Sequence, residues 1–167
     1  MTGSSFVKSA TTSTSVATSK MELERVLRRY GAEQFSTAQD YAKGLVVVMF
    51  SIPDSPAKGA KIVPIRFPVE TRRVYDRLFG EPTRWLNGKY VRNPDGYNAK
   101  KLEQAERVAW RNVILWVDAQ LSAASVGIQT VTEAFIAHAA LGPNGERVVD
   151  VIPEYLEARR ALGSGGA

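Results

Sequence analysis

Residues 45–50 constrain the fold more than any other stretch of this sequence. All six are apolar, and three consecutive valines stand among them. β-Branched side chains favour extended backbone, and a run that is apolar on both faces is typical of a central strand covered on both sides. It is also the longest apolar run of the chain, and it is far shorter than the ~18 residues that span a membrane. We therefore predict a buried central strand and no membrane-spanning segment.

Two neighbouring stretches supply partners for that strand. Residues 34–41 have the pattern of a polar, weak strand, and residues 61–67 alternate apolar and polar side chains. Pro64 lacks the N–H that a sheet ladder needs, which favours an edge position for the third strand. The turn residues between the stretches predict a three-stranded antiparallel β-meander with residues 45–50 in the centre.

Helical patterns surround the meander. Ser19 and Glu22 make a capping box, apolar residues then recur with a helical period, and Gly31 supplies a stop. This pattern predicts a first helix that begins at Ser19. Residues 71–79, followed by another glycine, predict a short second helix.

The C-terminal half is predicted to be helical. Asn98 can cap a long helix that runs to about residue 125. Its centre, residues 113–117, is apolar all round, which predicts burial on every side by the sheet, another helix or a second subunit. Two further short helices follow: Thr130 and Glu133 form a capping box for one, and Pro153 suits the first position of the other. The predicted class is α+β, a meander packed against helices with a long buried helix in the C-terminal half.

Both chain ends have compositions that do not support a packed core. Ser and Thr supply 11 of the first 20 residues, which predicts a disordered tail over residues 1–18. Residues 163–167 are rich in glycine and predict a flexible end. Residues 19–162 then form a single domain. Within it, residues 81–97 have turn signals without a regular period and are predicted to be a long loop.

The basic residues are concentrated in the middle of the chain. Residues 58–101 contain 11 basic and 4 acidic side chains, a net charge of +7, whereas residues 1–57 carry +1 and residues 102–167 carry −3. Half of all Lys and Arg residues therefore fall in about a quarter of the chain. Such an asymmetry is typical of a surface that binds an anion.

Aromatic side chains are interleaved with these cations. Single-strand-binding proteins combine a cationic groove with exposed rings, because phosphates attract positive charge and bases stack on π-faces. The same composition also fits a surface on which Arg and Lys only hydrate the protein while Trp85 and Tyr90 fold onto the core. On the first interpretation, the nucleic-acid-binding residues are Arg66, Arg72, Arg73, Arg84, Trp85, Lys89, Tyr90, Arg92, Lys100, Lys101, Arg107 and Arg111.

Patterns for catalysis and metal binding are weak in this sequence. It has no cysteine, no Gly-x-Ser-x-Gly elbow, no phosphate-binding loop and no dinucleotide fingerprint, so it predicts no catalytic residue, metal or cofactor. The single histidine, His138, lies in an apolar helix and is interpreted as a core or helix-end residue. Asp54 and Glu70 faintly resemble a restriction-type nuclease motif, with Arg72 where that motif has Lys. A metal-dependent nuclease is therefore a third alternative.

Several stretches resemble a family of small proteins from bacteriophages and prophages, mostly uncharacterised. They are residues 27–32, 101–111, 115–117, 119–121, 133–136 and 141–147. The resemblance covers most of residues 20–152. It implies a phage genome setting, where small basic proteins often serve replication or recombination, but no established chemistry. The predicted β-β-β-α order with a basic groove is similar, in topology alone, to phage single-strand annealing proteins of the RecT and Red-beta kind.

The charge, the aromatic residues and the resemblance together predict a non-catalytic, phage-type accessory protein of DNA metabolism. It would bind single-stranded nucleic acid in the cytoplasm of the host, in annealing or recombination. Because residues 113–117 need more cover than one small sheet offers, we also predict a homo-oligomer. The alternative is a phage structural or protein-interaction factor, such as an inhibitor of a host enzyme or an assembly protein, with the apolar long helix as its interface.

Overall fold

The computed structural model describes residues 9–40, 45–55, 57, 59–141 and 145–153. Residues 136–138 form a 3-10 turn and residues 148–153 are helical. In chain order the other elements are α1 (Val16–Arg29), β1 (Gln34–Asp40), β2 (Leu45–Pro53), β3 (Ile62–Val69), α2 (Thr71–Phe79), β4 (Thr83–Leu86), β5 (Lys89–Arg92), α3 (Ala99–Ser125), α4 (Val131–Phe135), β6 (Ala140–Leu141) and β7 (Glu146–Arg147).

The predicted meander is confirmed. The three-stranded antiparallel sheet has the order β1-β2-β3, so the apolar β2 is its central strand and β3, which contains Pro64, is terminal. Four of the six residues from 45 to 50 are buried, as a strand covered on two faces requires. The α+β class and the long helix α3 are likewise confirmed.

The first helix begins earlier than predicted. Its N-terminal cap is Ser15, whose Oγ accepts a hydrogen bond from the Thr18 N–H (3.1 Å), so the predicted cap at Ser19 is wrong. Ser19 instead lies inside α1 and is fully buried, as are Leu23 and Leu27 at four-residue spacing. The extra turn therefore extends the buried stripe of the helix rather than exposing its end.

Residues 9–15 are also in contact with the folded chain. The side-chain amide of Gln104 on α3 donates to the carbonyl oxygens of Ala10 (3.0 Å) and Thr12 (3.1 Å). The rest of the predicted N-terminal tail, residues 1–8, and the predicted flexible end at 163–167 lie outside the described residues, so these predictions remain predictions.

The long helix α3 is capped as predicted but is less buried at its centre. The Asn98 Oδ1 accepts from the Lys101 N–H (3.1 Å). Within residues 113–117, Ile114 and Val117 are buried and the other three are half-buried. The described part of this one chain therefore covers the centre of α3 only in part, and cover by a second subunit remains a prediction. A helix that packs against the protein on one side buries only the residues of that side, which recur with a period of 3.6. Its other apolar residues are then less buried.

The helices after α3 follow the prediction in part. Thr130 and Glu133 form the predicted reciprocal capping box at α4. The last described helix begins at residue 148 and Pro153 is its last described residue, so the predicted start at Pro153 is wrong. Asp150 explains the earlier start, because its carboxylate accepts from the Arg147 N–H (3.2 Å) just before the helix.

The chain divides into two compact units built from interleaved segments. Unit 1 combines Met1–Val26, Gln39–Val46 and Pro68–Ala119, and unit 2 combines Leu27–Ala38, Val47–Phe67 and Gln120–Ala167. In unit 1 a core cluster joins Tyr75 and Leu78 of α2 to Ala105 and Val108 of α3. The core of unit 2 includes an aromatic cluster of Phe50, Phe67 and Phe135. The predicted single domain over residues 19–162 remains a prediction.

No helix within the described ranges is both long and apolar enough to cross a membrane.

Candidate functional site

Residues 81–97 are not the irregular loop that the sequence predicted. They contain β4 and β5, which pair antiparallel as a hairpin closed by Asn87 and Gly88. Both turn residues have positive φ, 47° and 77°. Two consecutive left-handed residues are what a two-residue type I′ turn requires, and Asn-Gly is its preferred sequence. The Asn87-Gly88 dipeptide is the sequence signal from which this hairpin could have been predicted.

The hairpin presents two aromatic rings to solvent. Trp85 and Tyr90 are directly opposite each other in the register, and their rings pack edge to face with centroids 4.8 Å apart at 72°. The two residues are 63% and 74% exposed. The interpretation in which these rings fold onto the core is therefore wrong. Exposed aromatic pairs of this kind are unusual on a protein surface and are typical of binding sites.

The free cations of the hairpin lie on its other face. Because side chains alternate along a strand, Arg84 and Lys89 point away from the face that carries Trp85 and Tyr90. Both cations are exposed, and neither pairs with a carboxylate among the described residues. Leu86, 47% exposed, shares their face and was not among the predicted site residues. The hairpin is thus aromatic on one face and cationic on the other.

Arg92 shares the aromatic face, but its charge is compensated within the protein. Its Nε lies 2.6 Å from a Glu81 oxygen and its Nη2 lies 3.7 Å from Asp76. A hydrogen bond to Tyr97 and then the charge of Glu81 raise the pKa of Arg92. Arg92 therefore holds the base of the hairpin and is not a free phosphate contact. The sequence did not indicate Glu81 or Asp76 as its partners.

Tyr97 connects the hairpin to the helices of unit 1. Its hydroxyl donates to Asp76 Oδ1 (3.2 Å), and its ring packs against Tyr75 with centroids 4.9 Å apart. The guanidinium of Arg72 lies over the same ring at 5.4 Å. The Asn98 N–H, at the start of α3, donates to the Tyr75 hydroxyl (3.3 Å). These contacts fix the hairpin base against α2 and the first turn of α3.

The remaining predicted cations of unit 1 fall into two groups. Lys101 lies over the ring of Phe79 at 5.3 Å, and Lys100 is exposed beside it in sequence. Arg73 is also exposed, with Glu70 3.9 Å away. The second group is paired within the fold, because Arg107 bonds Glu103 one helical turn earlier and Arg111 contacts Glu22 at 2.6 Å. Arg107 and Arg111 are thus paired with carboxylates within the fold, and their predicted contact with nucleic acid remains a prediction.

Arg66 is the one predicted residue in unit 2. It is half-buried on β3, and its Nη1 donates to the carbonyl oxygen of Gly145 (3.1 Å). This bond ties β3 to the segment before β7. Arg66 thus has a structural partner of its own, whereas Arg84, Trp85, Lys89 and Tyr90 are brought together on one hairpin.

The residues considered for other chemistry have structural contacts. The Asp54 Oδ1 accepts from the Thr132 N–H (2.7 Å), and Glu70 is the neighbour of Arg73 on α2. The ring of His138 packs against Phe67 at 5.7 Å, and burial followed by the charge of Arg147 lowers the pKa of His138. Over the part of the chain that the structure describes, no group of three or more acidic or histidine side chains is arranged to hold a metal.

Neither a family model, a curated protein nor a solved structure matches this chain. The similarity to small phage proteins, and the likeness in topology to annealing proteins, therefore remain predictions.

Proposed function

We propose that this protein binds single-stranded nucleic acid through the β4–β5 hairpin and performs no chemistry on it. The observation that carries the proposal is the exposed Trp85–Tyr90 pair, held at a fixed angle in the most basic segment of the chain. The process we propose is phage-type DNA metabolism, in annealing or recombination, in the host cytoplasm.

The edge-to-face geometry limits how a base can bind. Rings inclined at 72° leave no parallel slot between them, so a base stacks on the outer face of one ring while the other supports it. Stacking of this kind contributes ~1–3 kcal/mol of binding free energy per base. It tolerates any base sequence, because every base has a π-face. Two aromatic residues fixed by a tight turn also lose little conformational entropy on binding.

The positive charges of the hairpin favour binding of a nucleic-acid strand that crosses the edge of the hairpin. Bases would lie on the Trp85–Tyr90 face, while the flexible chains of Arg84 and Lys89 reach phosphates from the other side. Lys100 and Lys101, at the start of α3, add exposed positive charge in the same unit. Arg92, Arg107 and Arg111 are left out of this interface because carboxylates already compensate their charge.

An annealing function also needs several protein copies along one strand, so the proposal includes a homo-oligomer. Val113, Leu115 and Trp116 of α3 are half-buried and leave apolar surface on the helix. Light scattering at micromolar concentration tests this part: an oligomer supports it, and a strict monomer contradicts it.

A protein-interaction role is the second candidate function. One observation favours it: Trp85 and Tyr90 expose apolar surface on one face of the hairpin and Leu86 on the other, while the cation on the aromatic face, Arg92, is compensated by Glu81 and Asp76. Aromatic residues surrounded by paired charges are common at the centre of protein interfaces.

Fluorescence anisotropy with a labelled oligothymidylate separates the two candidates. The proposal predicts binding that weakens steeply with salt, because neutralised phosphates release counterions. Replacing both Arg84 and Lys89 by Ala is expected to lower the slope of log affinity against log salt by about 1.4, two contacts at ~0.7 each. Trp85→Ala is expected to weaken binding and to leave the slope unchanged, because stacking releases no ions.

Arg25→Ala provides the matched control. Arg25 is an exposed cation of α1 outside the basic segment, so its loss tests whether net charge alone explains binding. If Arg25→Ala lowers the slope as much per residue as the hairpin substitutions do, binding is non-specific. If the folded protein fails to bind at about 50 mM salt, the proposal is wrong and the interaction role takes its place.

A further inference from the structure

Two large apolar side chains are exposed at the α3–α4 junction, residues 126–130 of unit 2. Val126 is 70% exposed and Ile128 is 77% exposed. They lie within a stretch, residues 119–132, that contains no charged residue. Exposed apolar side chains in surroundings depleted of charge are typical of the core of a protein interface. The junction is therefore a candidate surface for contact with another protein.

The backbone of the junction holds Ile128 in solvent. The Gly127 N–H donates to the Ala124 carbonyl (3.1 Å), and Gly127 has φ of 78°. The Ile128 N–H donates to the Ala123 carbonyl (3.1 Å). These two bonds are the Schellman motif, in which the residue after the glycine usually packs on an apolar side chain of the last helical turn. Here that side chain is the single methyl group of Ala123, which covers little of Ile128.

An apolar cavity lies beside this junction. Its volume is about 460 Å³, within the roughly 300–1,000 Å³ range of binding cavities. Its floor includes Ile52, Leu121 and Val131, all of them buried. Ala124 and Ser125, just before the junction, also line it, and Ser125 is exposed, so the cavity opens to solvent. The junction thus begins and ends in the cavity wall.

The two charged residues of the lining have partners within the chain. The Asp54 Oδ1 accepts from the Thr132 N–H (2.7 Å), and the Arg29 Nη2 donates to the Tyr30 hydroxyl (3.2 Å). Both charges are therefore hydrogen-bonded without a ligand. The apolar floor is the part of the cavity that gains stability when an apolar group covers it.

We infer that a second copy of this chain docks at the junction, with Ile128 of each copy inserted into the cavity of the other. Because the exposed side chains and the cavity are neighbours on one unit, a single two-fold axis makes both contacts at once, as in an isologous dimer. The uncharged stretch at 119–132 lets two identical surfaces meet without repulsion between like charges. The inference rests on the homo-oligomer of the proposed function and not on the binding of nucleic acid.

Sedimentation velocity of the full chain without nucleic acid tests this interface at micromolar concentrations. The unaltered protein is expected to form dimers. Ile128→Lys is expected to raise the dissociation constant of the dimer by about a hundredfold or more, because two isoleucines per dimer lose their burial. Met21→Lys is the matched control, since Met21 is 65% exposed on α1 in unit 1, and it should leave the dimer intact.

The outcomes separate this interface from the proposed function. An oligomer that Ile128→Lys leaves unchanged overturns the interface, while the proposed homo-oligomer stands. Equal dissociation by Ile128→Lys and Met21→Lys also overturns it, because added charge then explains the effect. A strict monomer contradicts both the interface and the homo-oligomer. Binding of oligothymidylate by the hairpin is measured separately and is decided by none of these results.

A mixture of two variants tests the exchange of side chains directly. Ala124 lines the cavity and is half-buried, so Ala124→Leu should fill part of the space, whereas Ile128→Ala removes the inserted side chain. Each variant alone loses both contacts of the dimer, but a mixed dimer keeps one. Native mass spectrometry of the mixture should therefore show more mixed dimer than a random mixture of subunits gives.

A random distribution of dimers, with both variants folded by circular dichroism, overturns the exchange. If Ala124→Leu does not fold, Ala124→Val adds less volume and serves in its place under the same criterion.

Discussion

Two pairs of aromatic rings in this protein have the same geometry and opposite environments. In unit 2, Phe50 and Phe135 pack edge to face at 5.6 Å and 87°, and they are 2% and 0% exposed. In unit 1, Trp85 and Tyr90 pack edge to face at 4.8 Å and 72°, and most of their surface meets solvent. The contact between the rings is therefore similar, and burial distinguishes a pair that stabilises the fold from one available to a ligand.

The cations of the basic segment show the same division. Arg92 is compensated by Glu81 and Asp76 within the fold. Arg84 and Lys89, on the other face of the same hairpin, have no carboxylate partner among the described residues. A net charge of +7 over residues 58–101 therefore overstates the charge available to a ligand. Pairing decides which cations a phosphate can reach.

The largest change in stability is expected at the buried pair, Phe50 and Phe135. Phe135→Ala removes a fully buried ring and should lower the free energy of unfolding by ~3–5 kcal/mol, from lost burial and the cavity left behind. Trp85→Ala, at the exposed pair, should change it by no more than ~0.5 kcal/mol. Urea denaturation followed by circular dichroism measures both. A similar loss in the two variants would mean that the hairpin rings are part of the core.

The next effect concerns the base of the hairpin. Asp76→Ala removes the acceptor of the Tyr97 hydroxyl and one of the two carboxylates near Arg92, and should cost about 1–1.5 kcal/mol of stability. Because the hairpin is then less firmly held, affinity for the oligothymidylate should fall although a negative charge has been removed. Tighter binding by Asp76→Ala would show that charge matters more than hairpin position.

The turn of the hairpin offers a smaller, purely conformational test. Gly88 has φ of 77°, and a Cβ added there meets no atom within 4 Å, so Gly88→Ala is strained by its backbone and not by crowding. The expected cost is about 1 kcal/mol. Gly88→Asn should cost less, since asparagine adopts this conformation more readily. Equal stability of Gly88→Ala and the parent protein would contradict the type I′ turn.

The smallest change in stability, one that depends on pH, is expected at His138 in unit 2. Burial, and then Arg147, lower its pKa in the folded protein below 6.5, so the unfolded chain binds the proton more readily. The stability that neutral His138 gives the folded protein is fully present above pH 6.5. It is lost as the pH falls through the pKa that His138 has in the folded protein. His138→Gln should therefore flatten the fall in stability just below pH 6.5. Thermal melts at several pH values measure this, and parallel curves for the two proteins would contradict it.

The sequence predicted the elements whose signals are local. The apolar run in β2, Pro64 in the terminal strand, and the caps at Asn98 and Thr130 all act within a few residues, and each was confirmed. At α1 the cap is Ser15 and not the predicted Ser19. Ser19 is buried inside the helix, and burial depends on distant parts of the chain.

The candidate site was predicted less completely, for physical reasons. Composition singled out Trp85, Tyr90, Arg84 and Lys89 as part of a basic and aromatic segment, but the hairpin that carries them was missed because its strands are only four residues long. Their alternation is too brief to detect, although Asn87 and Gly88 marked the turn. The partners of the compensated arginines come from other elements, as with Arg111 and Glu22, and sequence spacing does not show such pairs.

The tryptophan side chains report whether nucleic acid binds at the exposed rings and not at the buried ones. The indole N–H resonance of Trp85, assigned with Trp85→Phe, can be followed by NMR during titration with oligothymidylate. Trp110, which is fully buried, provides the internal control. We predict that the Trp85 resonance shifts in proportion to binding while that of Trp110 does not. Binding that leaves Trp85 unchanged, or that moves both resonances equally, would contradict the account.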